Sequence, residues 1–391
     1  MQKKRIALVA PYGAEPRLDN YAEFILAQTL QERGWDVRLY TYAMTGIPGY
    51  GRDCVYKGVT VIRCRVRWGI SPKLFFSTLA YRPRTVISFH PKSLLSFSAY
   101  WAARLTGARF IVSITGILHD RFVVDDVDNP HEHMKAAPVI ITGVKAFLAQ
   151  ATSFPFGWLW ENYILHMPTA KADTVVAINE DEKSHVKRIY GRTAEQIYYC
   201  TPRYSSSEEV SHVPHVPVKF LFFIGQIKRR KGWDTVIDAL AALKKAGRVS
   251  HLVFVTPHTD TSEAVGYAKS LGVVEHITFL TSISNEERQW LYSHCEYVLV
   301  PSRYEGFGLP IFEAFLAHKP VCASDIPVFL EFLDDRKNAM LFRTGDGIAL
   351  ANAVLELDAD PALRENLVRE GVITAKLFSY PRMVAEYEKI I

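Results

Sequence analysis

The chain has 391 residues, of which 49% are apolar and 22% are charged, and its formal net charge is +5. This length exceeds one ordinary core and favours two domains of roughly 150 to 200 residues each, while the composition excludes a disordered or fibrous protein. The five cysteines show no close pairing and no CxxC, so neither a disulfide framework nor a zinc site is expected.

The start MQKKRIALVAP has too short an apolar run for a signal peptide, and no apolar run reaches the length of a spanning helix. These features favour a cytoplasmic protein. Positive charge is concentrated in residues 1–120, where 17 Lys or Arg face 7 Asp or Glu, which leaves a net −5 for the rest of the chain. A basic face of this kind attracts an anionic surface such as phospholipid or nucleic acid, and a solvated face without a partner explains it equally well.

The first part of the sequence alternates between strand-like and helix-like segments. Short apolar runs predict buried strands, and apolar residues spaced by three and four predict helices. The order is strand, helix, strand at 5–11, 20–34 and 35–42, and again at 85–90, 94–107 and 109–116. Because strand, helix, strand implies a parallel pair, we expect a doubly wound parallel sheet, whose ligands lie beyond the carboxyl ends of its strands.

Residues 120–170 interrupt this alternation. An acidic, irregular stretch comes first, and 138–165 is then strongly apolar and aromatic, with Lys145 and Glu161 as its only charged residues. Two interpretations fit this segment. It forms a pair of buried core helices, which is the commoner arrangement, or it lies in a membrane interface.

The alternation resumes at 172–191 and, after a polar, proline-bearing stretch at 205–219 that predicts a domain linker, in the second half of the chain. There the strands are expected at 219–225, 251–256, 276–281, 297–302 and 319–324, and helices at 233–247, 285–295 and 309–318. Two similar doubly wound halves are therefore expected, facing each other across one long cleft.

The stretch RYEGFGLPIFEAF at 303–315 follows the strand YVLVPS and opens the next helix at a proline. Gly306 and Gly308 let the backbone approach a ligand closely, and the helix amino end attracts phosphate. Glu313 lies early in that helix, where a carboxylate can accept hydrogen bonds from a ribose diol, and Glu305 faces what lies beyond the phosphates. Without a ligand, both glutamates are explained as charges favoured near a helix start.

A basic loop is expected at the same edge of the second sheet. In FIGQIKRRKGWDTVIDAL at 223–240, Gly225 ends a strand and Gly232 precedes a helix. Between the two glycines stand four cations: Lys228, Arg229, Arg230 and Lys231. Cations at this edge are what a diphosphate leaving group needs, although a solvated loop is the ordinary place for Lys and Arg.

Together these pieces resemble the retaining glycosyltransferases of family 4, which have the GT-B fold. The matching pieces cover nearly all of residues 172–391: G-x5-KG from Gly225 to Gly232, VLVPSRYEGFGLPIFEA with its E-x7-E, KPVCASDIPVFLEF and FSYPRMVAEYEKII. The resemblance implies an α/β protein of two doubly wound Rossmann-like domains facing across a cleft. The domains expected are 1–210 for the acceptor, 211–375 for the nucleotide sugar, and a helix at 376–391 that crosses back to the first domain.

The resemblance also implies residue roles. Glu313 would bind the nucleotide ribose, Glu305 would contact the donor sugar, and Lys231 would stabilise the leaving diphosphate. Backbone groups that approach the sugar and phosphate would come from Gly306, Phe307, Gly308 and Leu309. The family's histidine near the cleft is best matched by His119, and His90 is the other candidate at a strand end.

Two positions depart from the family pattern. Gln226, which is counted among the donor-binding residues, stands where the family usually has Arg directly after the strand-ending glycine, and Lys228, Arg229 and Arg230 are the candidates to replace that diphosphate contact. The first loop normally carries paired glycines, and APYGAEPRLDN offers only Gly13 as a donor-binding glycine.

The activity implied is transfer of a hexose from a UDP- or GDP-linked sugar to an acceptor with retention of anomeric configuration. No metal is implied, and no cofactor besides the nucleotide diphosphate sugar as co-substrate. The basic first domain and the segment 138–165 favour a saccharide or lipid-linked acceptor of cell-surface polysaccharide synthesis, with peripheral contact at the inner face of the plasma membrane and no nucleic acid partner.

Three alternatives belong to other classes. A nucleotide-sugar epimerase or hydrolase of similar fold would act on the donor without an acceptor, and a non-catalytic nucleotide-sugar-binding protein would keep the fold without the reaction. A dinucleotide oxidoreductase is disfavoured, because no GxGxxG follows the first strand.

Overall fold

The structure is a computed structural model that describes residues 4–11, 21–43, 51–90, 93–115, 139–202, 215–257 and 260–391. Within these ranges the chain packs as two compact units. The first unit comprises the described residues up to Cys200 together with Tyr380–Ile391, and the second comprises those from Thr201 to Ser379. The domain limits at 210/211 and 375/376 stay predictions, and the expected linker lies largely outside the described residues.

The first unit contains an eight-stranded sheet. Its strands are β1 (Arg5–Val9), β2 (Asp36–Tyr42), β3 (Cys54–Tyr56), β4 (Val59–Cys64), β5 (Thr85–Phe89), β6 (Arg109–Ile114), β7 (Thr174–Ala177) and β8 (Glu195–Gln196). They lie in the order β3-β4-β2-β1-β5-β6-β7-β8. The pairs are parallel, as predicted, except β3 with β4, which is an antiparallel edge that the apolar pattern did not reveal.

Helices of the first unit follow the strands of its sheet. They are α1 (Ala22–Glu32), α2 (Pro72–Tyr81), α3 (Leu95–Thr106), α4 (Val144–Ala149), α5 (Phe156–Lys171) and α6 (Glu180–Tyr190). The aromatic segment behaves differently in its two helices, because α5 buries Leu159, Ile164 and Met167 whereas α4 buries none of its residues. The expectation of a pair of core helices is therefore wrong for α4.

The second unit contains a six-stranded parallel sheet. Its strands are β9 (Leu221–Ile224), β10 (Leu252–Thr256), β11 (Ile277–Thr281), β12 (Tyr297–Val300), β13 (Val321–Ser324) and β14 (Met340–Phe342). Its helices are α7 (Trp233–Lys245), α8 (Ser262–Ser270), α9 (Asn285–His294), α10 (Leu309–Leu316), α11 (Pro327–Leu330), α12 (Gly347–Ala359) and α13 (Pro361–Leu377). The strands and helices predicted for this half are confirmed.

The order in which the chain adds strands to the second sheet reverses at its centre. Its order is β11-β10-β9-β12-β13-β14, so the chain passes from β9 to β10 and β11 on one side and returns to the other side of β9 at β12. Such a reversal is a topological switch point, and ligands of doubly wound sheets bind outside the carboxyl ends of the strands there. The loops that follow β9 and β12 therefore lie where a ligand is expected.

The last helix, α14 (Tyr380–Ile390), belongs to the first unit. Its Met383, Val384 and Tyr387 are buried in the core that β1 and α1 share, and the Tyr387 hydroxyl lies 2.8 Å from Oγ of Ser113. Within the described ranges, no helix is both long and apolar enough to cross a membrane.

Candidate functional site

The loops after β9 and β12 lie side by side, because these two strands pair in parallel. The backbone N–H of Arg303 donates to the carbonyl of Arg230 at 2.8 Å, and its guanidinium donates to the carbonyl of Arg229 at 2.8 Å. Gly232 permits this approach: its φ is +65°, and a Cβ there would lie 1.9 Å from the carbonyl oxygen of Pro301. The glycine that ends the basic loop is thus needed for the contact between the loops.

This contact brings together Lys231 and Glu305, as the sequence predicted for two residues at one sheet edge. The Lys231 ammonium donates to Oε1 of Glu305, and that oxygen also accepts from Oγ of Ser302 at 2.9 Å. Both side chains are largely enclosed, with 18% and 9% of their surfaces exposed. A carboxylate buried this far keeps its charge only if it is paired and hydrogen-bonded.

The charges around this pair are unbalanced. Burial by itself would raise the pKa of Glu305, but the charges of Lys231 and Arg230 and the hydrogen bonds from Lys231 and Ser302 outweigh it and hold the pKa below its ordinary value. Burial also lowers the pKa of Lys231, with help from the charge of Arg230 and against the attraction of Glu305. Two cations therefore face one carboxylate, which favours an anionic ligand.

Gln226, the departure from the family pattern, contacts one of the neighbouring cations. Arg230 Nη2 donates to Oε1 of Gln226 at 3.1 Å. Arg229 is exposed. Gln226 thus accepts a hydrogen bond from Arg230, which lies four residues later in the chain.

The glycine-containing loop before α10 is shaped by close packing. Gly308 has a φ of +85°, and a Cβ there would lie 2.5 Å from the ring of Phe329. The Phe307 ring is buried and stacks on Phe312, with ring centroids 4.4 Å apart, so its side chain belongs to the core. This packing is compatible with the predicted use of backbone groups, and Gly306 and Leu309 flank the same turn in half-buried positions.

Glu313 lies in the second turn of α10 and is buried. Tyr292 donates its hydroxyl to Oε2 of Glu313 at 2.7 Å, and Arg288 Nη1 lies 3.3 Å from Oε1. Sequence analysis missed both partners. Their spacing of four residues places them on one face of α9, and this was the one available signal, although it does not say what that face contacts.

A second carboxylate and cation meet at the carboxyl edge of the first sheet. His90 follows β5 with a φ of +52°, and its Nε2 lies 2.9 Å from Oε1 of the fully buried Glu23. Glu23 Oε2 accepts from the Tyr199 hydroxyl at 2.7 Å, and the Thr115 hydroxyl contacts Nδ1 of His90. The sequence identified His90 as a candidate but indicated neither Glu23 nor Thr115 as its partner.

Burial opposes ionisation of both groups in this pair and is outweighed in both. It raises the pKa of Glu23, but the hydrogen bonds from His90 and Tyr199 and the charge of His90 bring the pKa below its ordinary value. It lowers the pKa of His90, but Glu23 more than compensates and raises that pKa. The remaining predicted site residues of the first unit, Gly13 and His119, lie outside the described residues.

No group of three His, Cys, Asp or Glu side chains that could hold a metal ion occurs in the part of the chain that the structure describes. The described site instead offers two cationic side chains beside one carboxylate, a helix amino end, and a second carboxylate on α10. That set can bind a diphosphate and a diol.

Two doubly wound α/β units of this kind define the GT-B class of fold. Family models support the same conclusion for each half: "Glycosyl transferase 4-like domain" matches residues 25–200 and "Glycosyl transferases group 1" matches residues 208–372. The chain belongs to the group 1 glycosyltransferases of GT-B fold.

Curated relatives match part of the chain. A phosphatidyl-myo-inositol mannosyltransferase of Mycobacterium leprae is 27% identical over 48% of this chain and 49% of its own length. An O-antigen chain mannosyltransferase B of Escherichia coli is 24% identical over 55% of this chain and 59% of its own. The matched regions thus span about half of these relatives.

Solved structures resemble the whole chain. Sucrose-phosphate synthase of Thermosynechococcus elongatus has a TM-score of 0.72 at 18% identity, covering 99% of this chain and 98% of that one. HepE of Anabaena, solved in complex with UDP-glucose, has a TM-score of 0.66 at 15% identity, covering 99% and 100%. At these identities the likeness establishes the fold.

Proposed function

We propose that this protein transfers a hexose from a UDP- or GDP-linked sugar to an acceptor hydroxyl with retention of anomeric configuration. The observation that carries the proposal is the enclosed Lys231–Glu305 pair beside Arg230, at the switch point of the second sheet. The structure of HepE with UDP-glucose supports a nucleotide-sugar donor, and two relatives named as mannosyltransferases support a hexose.

In this proposal the nucleotide is held at both ends. Glu313 accepts hydrogen bonds from the ribose diol, while Tyr292 and Arg288 fix the orientation of its carboxylate. Backbone groups around Gly306 and Gly308, together with the amino end of α10, bind the diphosphate. Phe307 and Leu309 contribute through their backbone, since the Phe307 ring lies in the core.

The reaction breaks the bond between the anomeric carbon and the diphosphate oxygen, and the acceptor oxygen forms a bond to the same carbon from the same face. The acceptor's proton passes to the departing diphosphate. Lys231 and Arg230 stabilise the charge that grows on that diphosphate, and Arg230, bound to Gln226, replaces the arginine that the family has at that position. Glu305 stays ionised and contacts the sugar ring. The proposal uses neither a metal nor a further cofactor.

The acceptor is proposed to be a lipid-linked saccharide of cell-surface polysaccharide synthesis, bound by the first unit at the cytoplasmic face of the membrane. The surplus of positive charge in residues 1–120 and the names of the two mannosyltransferase relatives support this. Gly13 and His119 remain predicted residues of the donor site.

Calorimetric binding of UDP, GDP, ADP and their hexose conjugates tests the donor site. We expect selective binding of one nucleotide, weakened at least about tenfold in Glu313→Gln because the ribose loses an ionised acceptor. The matched control is Glu365→Gln on the exposed side of α13, which should bind as the unchanged protein does. Absence of binding to any nucleotide would contradict the proposal.

Proton NMR of the first product formed tests the stereochemistry. Retention predicts that the anomeric configuration of the donor sugar persists in the glycoside. An inverted product contradicts the retaining mechanism while leaving transfer intact, whereas rapid release of free sugar or an epimer without any acceptor identifies the epimerase or hydrolase alternative.

A further inference from the structure

Apolar side chains that the donor chemistry does not use are exposed on the first unit. We call them the aromatic patch: Trp68, Trp101, Val144, Leu148 and Phe156. Their exposed fractions are large for such residues, at 79% for Trp68, 71% for Phe156 and 66% for Leu148. Single exposed apolar residues are ordinary, but a contiguous set on one surface marks an interaction site.

The members of the patch are connected through one aromatic cluster. Trp160 donates its indole N–H to the carbonyl of Trp68 at 2.9 Å, and its ring is parallel to that of Phe156 with centroids 6.5 Å apart. Phe97 contacts both Trp160 and Trp101, at 5.7 Å and 6.4 Å between centroids. Trp68, Phe156 and Trp101 therefore all border the same aromatic cluster.

Helix α4 extends the patch beyond this cluster. Phe147 of α4 meets Phe156 edge-on, with ring centroids 5.8 Å apart. Val144 and Leu148 belong to the same short helix and are both mostly exposed, and α4 has no buried residue of its own. An apolar helix with no face in the core needs something else to cover it.

A tight turn holds Trp68 outward. Arg67 and Ile70 pair across the turn, and Trp68 and Gly69 at its tip both have positive φ, of +54° and +76°. A Cβ on Gly69 would lie 2.1 Å from Cδ1 of Ile164, so the turn is pressed against α5 at this glycine. A large aromatic residue rarely adopts positive φ, and here that conformation places the indole in solvent.

Basic residues flank the patch. Arg65 and Arg67 precede Trp68, and Lys145 lies between the exposed residues of α4. Among the described residues, none of these three cations forms an ion pair with an acidic side chain. The nearby Lys73, by contrast, is paired with Asp53 at 2.6 Å. In the described part of the first unit, these three cations therefore leave unpaired positive charge beside the patch.

We propose that the aromatic patch binds the interfacial region of an anionic phospholipid bilayer. Trp68, Trp101 and Phe156 enter the boundary between head groups and acyl chains, where aromatic side chains are favoured, and Arg67 and Lys145 contact lipid phosphates. This inference rests on the proposed function for its purpose, since it would bring the first unit to a lipid-linked acceptor.

The charge distribution favours a bilayer over a second copy of the chain. In a symmetric dimer through this patch, the same cations would face each other across the interface and repel. An anionic membrane neutralises them instead, and each cation near such a surface contributes about a fivefold gain in binding.

Vesicle flotation of the full chain tests the proposal. The probes are vesicles of phosphatidylcholine alone and of phosphatidylcholine with one third phosphatidylglycerol, at low and high salt. We expect the protein to bind the anionic vesicles and to bind them more weakly at high salt. Vesicle affinity should fall at least about tenfold in the double variant Trp68→Ser/Phe156→Ser. It should fall about fivefold in Arg67→Gln and about fivefold in Lys145→Gln.

The matched control is Val249→Ser/Ile348→Ser, which removes two equally exposed apolar side chains from the second unit and should not change vesicle binding. Equal binding by the patch variant and the unchanged protein overturns the proposal, as does binding that neither anionic lipid nor salt affects. A dimer in solution that the patch variant converts to a monomer, without vesicle binding, assigns the surface to self-association instead.

Nucleotide calorimetry on the same variants separates the two proposals. Intact nucleotide binding with no vesicle binding refutes the membrane surface alone. Vesicle binding that depends on the patch, in a protein that binds no nucleotide, refutes the donor site and leaves the surface standing.

Discussion

The carboxyl edges of the two sheets each hold a buried glutamate paired with a cation, and the two pairs differ in charge balance. In the first sheet His90 is the one cation that acts on Glu23 among the described residues, and in the second Glu305 meets Lys231 with Arg230 close by. Both glutamates have lowered pKa values. The pKa of His90 is raised whereas that of Lys231 is lowered, because burial is outweighed by Glu23 in the first pair but is reinforced by Arg230 in the second.

The difference indicates what each edge is suited to bind. At the first edge the charges of Glu23 and His90 neutralise each other, and the buried carboxylate of Glu182 also acts on His90, so the described part of this edge has no surplus of positive charge. The second edge holds one positive charge more than its carboxylate can neutralise, so an anionic ligand lowers its energy. This is the physical reason for proposing that the diphosphate binds at the second sheet.

Lys231→Met gives the largest expected effect, because it removes the cation from the second pair. We expect the rate of transfer to fall about 10²- to 10³-fold, as when one stabilising donor is removed from a developing negative charge. The protein should also lose about 3 kcal/mol of unfolding free energy, since Glu305 is left buried without its main partner. Steady-state kinetics and thermal unfolding measure the two effects.

The double variant Lys231→Met/Glu305→Gln separates these roles. Stability should largely return, because no unpaired charge remains, whereas transfer should stay slow. Recovery of the rate together with stability would show that the pair is only structural.

Gly232→Ala tests the contact between the two loops. Besides the cost of about 1 kcal/mol for placing a Cβ at positive φ, the new atom would lie 1.9 Å from the Pro301 carbonyl, so the loops must separate. We expect a total loss of about 3 kcal/mol and weaker nucleotide binding. Gly247→Ala is the matched control, since Gly247 has a φ of +82° with no atom within 4 Å of the added carbon. Equal losses in both variants would contradict a specific loop contact.

His90→Gln tests the pair at the edge of the first sheet. The raised pKa of His90 means that its stabilising effect is complete below the unfolded value of about 6.5 and disappears as pH rises through the folded value. The lowered pKa of Glu23 means that its effect is present above about 4.3 and disappears as pH falls through the folded value. Between these limits we expect His90→Gln to cost about 2 kcal/mol, less than for a fully buried pair because a third of the His90 side chain is exposed.

Unfolding free energies of the two proteins, measured from pH 5 to pH 9, check this prediction. The difference should shrink as pH rises. His276→Gln, at a surface pair with Glu275 in the second unit, controls for loss of an imidazole. A difference that does not change with pH would show that His90 acts through packing alone.

The sequence predicted the second edge better than the first for a physical reason. Lys231 and Glu305 follow two recognisable strands, so their meeting depends on strand order and local glycines. Glu23 depends on Tyr199, 176 residues away, through a contact that no local pattern encodes. Composition likewise could not distinguish exposed α4 from half-buried α5, because both are apolar and only the packed structure decides which face is covered.

Arg288→Gln and Tyr292→Phe give the smallest expected effects, because they change the support of Glu313 and leave Glu313 itself in place. Tyr292→Phe removes the hydroxyl that donates to Oε2 at 2.7 Å, and Arg288→Gln removes the cation 3.3 Å from Oε1. In either variant the Glu313 carboxylate can rotate more freely before the ribose binds. We expect each change to weaken nucleotide binding about five- to tenfold, in line with about 1 kcal/mol for one hydrogen bond, and to leave the maximal rate unchanged once the donor saturates the enzyme. Calorimetry and donor-dependent kinetics measure both, with Ser293→Ala on the same helix as the control. A lower maximal rate with unchanged nucleotide affinity would show that these residues act on the reaction itself and not on nucleotide binding.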